Sequence, residues 1–273
     1  MLAVGHSARD IFELLKQKNI AMEKKNFSVG VRIEHLQSMI NESQYGVKTK
    51  LKLPPADYKL VYHSSNGRSC YSFCMCPGGY VIASSSEKGA VVTNGMSSFA
   101  RKGDNANSAL LVNVVPEDFR DDDVLSGVNF QKELEQKAYI LGGKNGNAPV
   151  QTLGNFLGRI EKNETGIVKP TYNPGVNYTD LNELFPDFIL STLKEAIVYF
   201  GSKIKGFDNN DAILTAVETR SSSPVKVLRD KDSFMSISTN GLYLAGEGPG
   251  YAGGIMSAAV DGIKVAHSII LNK

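Results

Sequence analysis

Cysteine is scarce in this chain, and its apolar residues never run on long enough to cross a membrane. Three cysteines occur among 273 residues. They cluster as Cys70, Cys74 and Cys76, and an odd count at this spacing fits neither a paired disulfide framework nor a C-x-x-C zinc knuckle. Reduced thiols are expected. No apolar stretch reaches the ~18 residues of a membrane helix, and the opening MLAVGHSARD lacks a basic leader and a long apolar segment. The expectation is therefore a cytoplasmic protein with no membrane partner. Charge of one sign is not concentrated anywhere: 30 Lys and Arg against 28 Asp and Glu are interspersed, for a net +2. No basic stripe interleaves with aromatics, so nucleic acid is not an expected partner. Also absent are metal-ligand spacings of His, Cys, Asp and Glu, a G-x-S-x-G elbow and a Walker Gly-Lys-Ser/Thr, which removes support for metal sites, serine hydrolases and P-loop nucleotide binding.

What is present suits a globular fold. Apolar residues make up 42% and charged residues 21%, enough to bury a core. Leu2-Ala3-Val4-Gly5 reads as the tail of a buried strand, and Ser7 then reads as the cap of a helix carrying Ile11, Phe12, Leu14 and Leu15. From Phe27 the pattern alternates, with Phe27, Val29, Val31 and Ile33 on one strand face and Ser28, Gly30, Arg32 and Glu34 on the other. Further strand-like runs between 58 and 115, separated by Gly, Asn, Ser and Lys, predict a mostly antiparallel sheet. Helical spacing predicts helices over 128–141 and 184–204, with PTYNPGVNYTD between them as a loop. GGKNGNAP at 142–149 also reads as a loop, and AILTAVETR as helix or strand. The chain closes with a strand over 242–245 and a helix over 255–270.

The closing segment GLYLAGEGPGYAGGI carries the strongest functional signal. Gly248, Gly250 and Gly253 match G-x-G-x-x-G literally, yet the dinucleotide fingerprint needs a second strand with an acidic residue about 20 residues on, and the sequence stops at Lys273. The physical content survives. Small residues allow a ligand close to the backbone, and free N–H groups at the helix start favour electron-rich oxygens. Glu247 can accept hydrogen bonds from ligand hydroxyls. A polyhydroxylated cofactor fits; a glycine-rich corner that binds nothing is the plain alternative.

Strand, Gly-Glu and Gly-Gly before a final helix resemble the last FAD-contacting segment of flavoproteins built on the glutathione-reductase plan. That resemblance gives Glu247 the ribityl or ribose hydroxyls, and Gly253, Gly254 and Ile255 the flavin pyrimidine, with Gly5 and Gly246 as further cofactor-binding candidates. The stretches VGHSARDIF, FSVGVRIEH, YSFCMCPGG, TNGMS, LGGKNGNAPVQTLGNFL, ETRSSSPV and GEGPGYAGGI further resemble the second half of a group of FAD-dependent dehydrogenases. Leu2-Ala3-Val4-Gly5 then stands where the cofactor domain hands over to its inserted domain. The ADP-binding βαβ unit that such enzymes carry first is not in this sequence, so a missing N-terminal half is an expected partner for holding FAD. The fold expected is α/β plus α+β: an incomplete Rossmann-like FAD domain from 1–26 and 233–273, and an inserted substrate or cap domain over 27–232 with a mixed, mostly antiparallel sheet and helices.

The function this implies is an FAD-dependent oxidoreductase that moves hydride or electrons to or from a small-molecule substrate. A non-catalytic binding or structural module that does not hold FAD without the other half is the alternative. Equal parity puts Cys70, Cys74 and Cys76 on one strand face, where disulfides are disfavoured. They are either small buried apolar residues or thiols beside the flavin, and the resemblance favours Cys74 and Cys76 as candidate catalytic groups. Arg220, in ETRSSSPV with Arg229 beyond, is either a structural ion pair or an anchor for a carboxylate or cofactor oxygen; the resemblance places it near the active site. His6, after Gly5 at a strand end, suits a cofactor contact, while His63 and His267 read as surface or packing residues.

Overall fold

In the computed structural model, which describes residues 1–46, 52–119 and 121–271, the spacing of Phe12 and Leu15 folds as helix α1 (Arg9–Gln17). Its N-cap is Ala8 and no side chain caps it, so Ser7 does not play the expected role; the Ala8 N–H bonds Gly5 O at 3.1 Å instead. After it come β1 (Met22–Lys24), β2 (Phe27–Leu36), α2 (Gln37–Tyr45), β3 (Val61–His63), β4 (Ser69–Cys76), β5 (Gly79–Ala83), β6 (Thr93–Ser97) and β7 (Asn105–Val114). The second half contains α3 (Ser126–Leu141), β8 (Ala148–Thr152), α4 (Leu153–Phe156), β9 (Val176–Tyr178), α5 (Asp187–Lys203), β10 (Ile213–Glu218), β11 (Val225–Val227) and α6 (Ile255–Leu271). The chain divides into two compact units: Met1–Ser28, Val114–Lys132 and Arg220–Lys273 form the first, and Val29–Asn113 with Glu133–Thr219 the second.

The second unit is built on a seven-stranded sheet in the order β3-β4-β7-β2-β10-β8-β9. It is antiparallel at the ladders β2–β10, β10–β8, β3–β4 and β4–β7, and parallel at β8–β9. β5 and β6 pair separately as an antiparallel hairpin. AILTAVETR resolves as strand β10, buried along its whole length. A strand covered on both faces shows no alternation, which is why its pattern left helix and strand open. The same burial overrides the alternation of β2: Arg32, Glu34 and His35 on it are as buried as Val31 and Ile33. Within PTYNPGVNYTD, Val176–Tyr178 joins the sheet as an edge strand, and GGKNGNAP gives way to β8 at Ala148. Helix α5 lies against β3 and β4, where Leu193, Ile197 and Phe200 are fully buried and contribute about 1.5–3 kcal/mol each relative to exposure.

The first unit packs Phe12, Leu15, Leu125, Val128, Val225, Val227 and Leu244 into one core. β1 and β11 pair antiparallel, and the two stretches read as strands near the chain ends meet in a parallel bridge, Leu2 to Leu244. The bridge is held by the Leu2 N–H to Tyr243 O and the Ala245 N–H to Leu2 O, and Leu244 O accepts from the Arg229 guanidinium.

Glycine is obligatory at one point in β2. A Cβ on Gly30 would lie 1.8 Å from Leu110 O on the neighbouring strand, which the backbone has no room to relieve. Gly30→Ala should therefore lower stability by at least about 3 kcal/mol, read as a fall in the urea midpoint followed by far-UV circular dichroism.

Candidate functional site

In the first unit, the bridge between Leu2 and Leu244 brings Gly5-His6 beside Gly246-Glu247. His6 Nδ1 lies 3.1 Å from Glu247 Oε1, and a Cβ on Gly5 would sit 3.6 Å from Glu247 Oε2. The hydrogen bond from His6 holds the Glu247 carboxyl below the usual carboxylate range, against the opposing effect of burial. Glu247 is thus an acceptor at neutral pH and is about one-third exposed. His6 is buried, and its Nε2 has no hydrogen-bond partner among the described residues. A lysine stands nearby: burial, with Lys226 alongside, holds Lys25 below the usual lysine range, and Glu247 works against that.

Three anchors shape the glycine turn. A Cβ on Gly248 would lie 2.1 Å from Val4 O, so glycine alone permits the close approach of the two chain-end segments. Gly246 and Gly250 take positive φ of 88° and 86°, which glycine adopts without strain. Buried Ser223 donates to Gly248 O at 3.0 Å, tying ETRSSSPV to the turn. Arg220, the third residue of that segment, is half-buried, while the Ser221 hydroxyl donates to Ser28 O at 2.9 Å.

The third anchor is an ion pair. Arg229 donates to Asp261 Oδ2 at 2.9 Å and Oδ1 at 2.6 Å, and Asp261 Oδ2 also accepts the Gly246 N–H at 2.7 Å. The guanidinium lies 3.7 Å from the Tyr251 ring centroid and 4.8 Å from that of Phe234. Thus Asp261, on α6, fixes the strand end from which Glu247 projects. Beyond the turn, Gly253 and Gly254 are exposed at the start of α6. A Cβ on Gly253 would meet nothing within 4 Å, and one on Gly254 only Ser257 Oγ at 3.9 Å. Ile255 comes next and is 90% exposed.

In the second unit the cysteines do not share a face. Cys74 has φ of +43°, and the ladder between β4 and β7 slips between Phe73 and Cys76. This is a bulge, in which one extra residue reverses the parity of the strand beyond it. Cys70 is buried opposite Val112, whereas Cys76 pairs with Asn107 and Cys74 is exposed. Around them stands a cluster for which no sequence spacing offered a signal. Arg32, fully buried, donates through Nε to Glu218 Oε2 at 2.5 Å and through Nη2 to Glu218 Oε1 at 3.1 Å. Its other bonds go to Cys74 O at 2.8 Å, Asn107 Oδ1 at 3.1 Å and Asn94 Oδ1 at 3.1 Å. Burial acts against the Arg32 charge, but Glu218 outweighs it and the guanidinium stays charged. Burial pushes the Cys74 and Cys76 thiols up, with Arg32 opposing, so both are protonated at neutral pH. Asn107 Nδ2 and Thr93 Oγ1 are buried without partners among the described residues. Gly95 makes room for the guanidinium, since a Cβ there would lie 2.4 Å from Arg32 Nη1.

The site residues expected from sequence therefore fall into two groups. Gly5, His6, Gly246 and Glu247 come together, with Gly253, Gly254 and Ile255 open at the end of the same turn. Cys74 and Cys76 gather around Arg32 in the second unit, and Arg220 belongs to the first. Among the described residues no group of three or more His, Cys, Asp or Glu has the arrangement of a metal site.

Residues 26–221 match the family model described as FAD-dependent protein, C-terminal domain-like. The chain belongs to this family. It is also 52% identical over 272 residues to a protein of Clostridium beijerinckii described as uncharacterized, a match that covers 99% of this chain and 51% of that protein. The chain thus spans about half the length of the relative. The donor set suits the cofactor in the family's name. An ionised, partly exposed carboxylate can accept from hydroxyls, a buried histidine nitrogen is unpaired beside it, and the two open glycines leave the helix start clear of side chains.

The anchoring pair yields a pH-dependent prediction. Burial raises the Asp261 pKa, but Arg229 and the Gly246 N–H outweigh it and leave it below the usual range. A lowered carboxylate stabilises the fold above its unfolded value, and that contribution fades as pH falls through its folded value. Asp261→Asn should cost about 3 kcal/mol at pH 7, because Arg229 is left buried without its counter-charge. In urea titrations the difference from the parent chain should shrink steadily as the pH is lowered toward 3.

Proposed function

We propose that this family member forms the flavin-facing and substrate-facing portion of an FAD-dependent oxidoreductase. The first unit is read as part of a Rossmann-like cofactor domain and the second as its substrate domain. The observation that carries the reading is the pairing of His6 with Glu247 at the mouth of a glycine turn whose helix start is open. Glu247 would accept hydrogen bonds from ribityl or ribose hydroxyls, with His6 fixing the carboxylate's orientation and Gly5 leaving room beside it. The N–H groups after Gly253 and Gly254, at the positive end of α6, would face the carbonyl oxygens of the flavin ring. When bound, FAD would supply the hydride or electron transfer itself.

The remaining assignments concern the substrate. Protonated thiols at Cys74 and Cys76, beside a charged guanidinium, are suited to donating a proton or hydrogen bond to a small molecule. Arg220 is suited to a carboxylate or a cofactor oxygen through charge-assisted hydrogen bonds. No helix among the described residues is long and apolar enough to cross a membrane, and three free thiols accord with a reducing, cytosolic setting.

Two measurements test the reading on the full-length Clostridium beijerinckii relative. Purified protein should show a flavin absorption band, and glutamine at the position aligned with Glu247 should weaken FAD binding about 10- to 100-fold, the loss of one or two hydrogen bonds to a charged group. A colourless protein that takes up no added FAD contradicts the proposal. Alanine at the positions aligned with Cys74 and Cys76 should slow flavin reduction by substrate or its reoxidation by at least about tenfold, the scale of a lost acid–base group. Unchanged rates would leave these thiols a packing role only.

A further inference from the structure

Helix α6 has the polarity of a core element turned outward. Its inward positions are Asp261, Val265 and Ser268: Asp261 is taken by Arg229, and Ser268 donates to Ser233 O at 2.8 Å. Its large apolar side chains face outward, with Ser257, Lys264 and His267 as the exposed polar residues among them. Ile255 is 90% exposed, Met256 75%, Val260 46%, Ile263 70% and Ile270 70%. Met256, Val260 and Ile263 have the i, i+4, i+7 spacing that aligns side chains along one face of a helix, and Ile270 continues that face beyond the exposed His267. Hollows of about 380 Å³ at Tyr251, Met256 and Val260, and about 310 Å³ at Phe234, His267 and Leu271, run beside it. A surface helix ordinarily shows water its polar side; a contiguous apolar stripe marks a docking surface.

We propose that this face seats polypeptide from the half that the Clostridium beijerinckii relative carries outside the match. That relative is 52% identical throughout this chain, yet the match accounts for 51% of its length, so nearly as much chain again is available to cover the stripe. A second copy of this chain fits less well. Lys264, next to Ile263 at the middle of Ile255–Leu271, would meet its own counterpart in either a parallel or an antiparallel pairing of the two helices, and Asp261, the acidic residue of the helix, is already paired with Arg229. The partner surface is therefore an apolar helix or sheet face with an acidic edge to meet Lys264. The inference concerns packing and stands apart from the flavin reading.

The test is cysteine labelling of apo protein, read at the introduced residue by peptide mapping so that the native thiols do not interfere. Ile263→Cys in this chain should react with a maleimide at the rate of an exposed thiol, at every protein concentration. Cysteine at the aligned position of the full-length relative should react on the order of 100-fold more slowly, because labelling then requires local opening. Equal, rapid labelling in both proteins overturns the proposal, since the stripe would then be open in the longer protein too. Slow labelling of this chain also overturns it, and if the protection grows with concentration the occupant is a second copy.

Discussion

The ion pair between Arg229 and Asp261 is the interaction on which the glycine turn depends. Arg229 reaches Asp261 with two nitrogens and also donates to Leu244 O; Asp261 in turn holds the Gly246 N–H. One buried salt link thereby fixes the last bridged residue, the positive-φ glycine after it and the helix beyond. Between those fixed ends, Glu247 has little freedom except to face His6. A buried pair of this kind need not add net stability. Its value here is positional, because apart from Pro249 and Tyr251 the turn from Gly246 to Gly254 has no large side chain but Glu247 to hold it by packing.

The same arrangement explains the unusual polarity of α6. Placing Asp261 and Ser268 inward uses the helix's polar side to anchor the turn, and the apolar side is left to face outward. In the second unit Arg32 plays a comparable part: it collects Glu218, Asn107, Asn94 and the carbonyl of Cys74 around one buried guanidinium, and so shapes the bulge that sends Cys70 to one face of the sheet and Cys76 to the other.

Elements with a helical period were legible in the sequence. α5 and α6 fall where the spacing of their apolar residues puts them, and the parallel contact of Leu2 with Leu244 arises from two short apolar runs that each end at glycine. Strands covered on both faces were harder, because β10 and the later part of β2 bury polar and apolar residues alike and erase the alternation that marks a half-exposed strand. The shared parity of the cysteines failed for a local reason, since one positive-φ residue reverses everything after it and cysteine gives no warning of such a conformation. The two buried ion pairs link positions 186 and 32 residues apart. Arg229 had stood out only as one more donor in a polar loop, and Arg32 only as the outward residue of an amphipathic strand. Lys25 carried no motif at all.

The central claim is that flavin meets this chain at the turn from Gly246 to Ile255. Hydrogen exchange of the full-length relative, stripped of cofactor and then supplied with FAD, addresses it most directly. Amides aligned with Gly246–Ile255 should gain protection on FAD addition, while those aligned with the turn at 142–147 in the second unit should not change. FAD binding that leaves the exchange of the aligned Gly246–Ile255 segment unaltered would place the cofactor elsewhere and contradict the account.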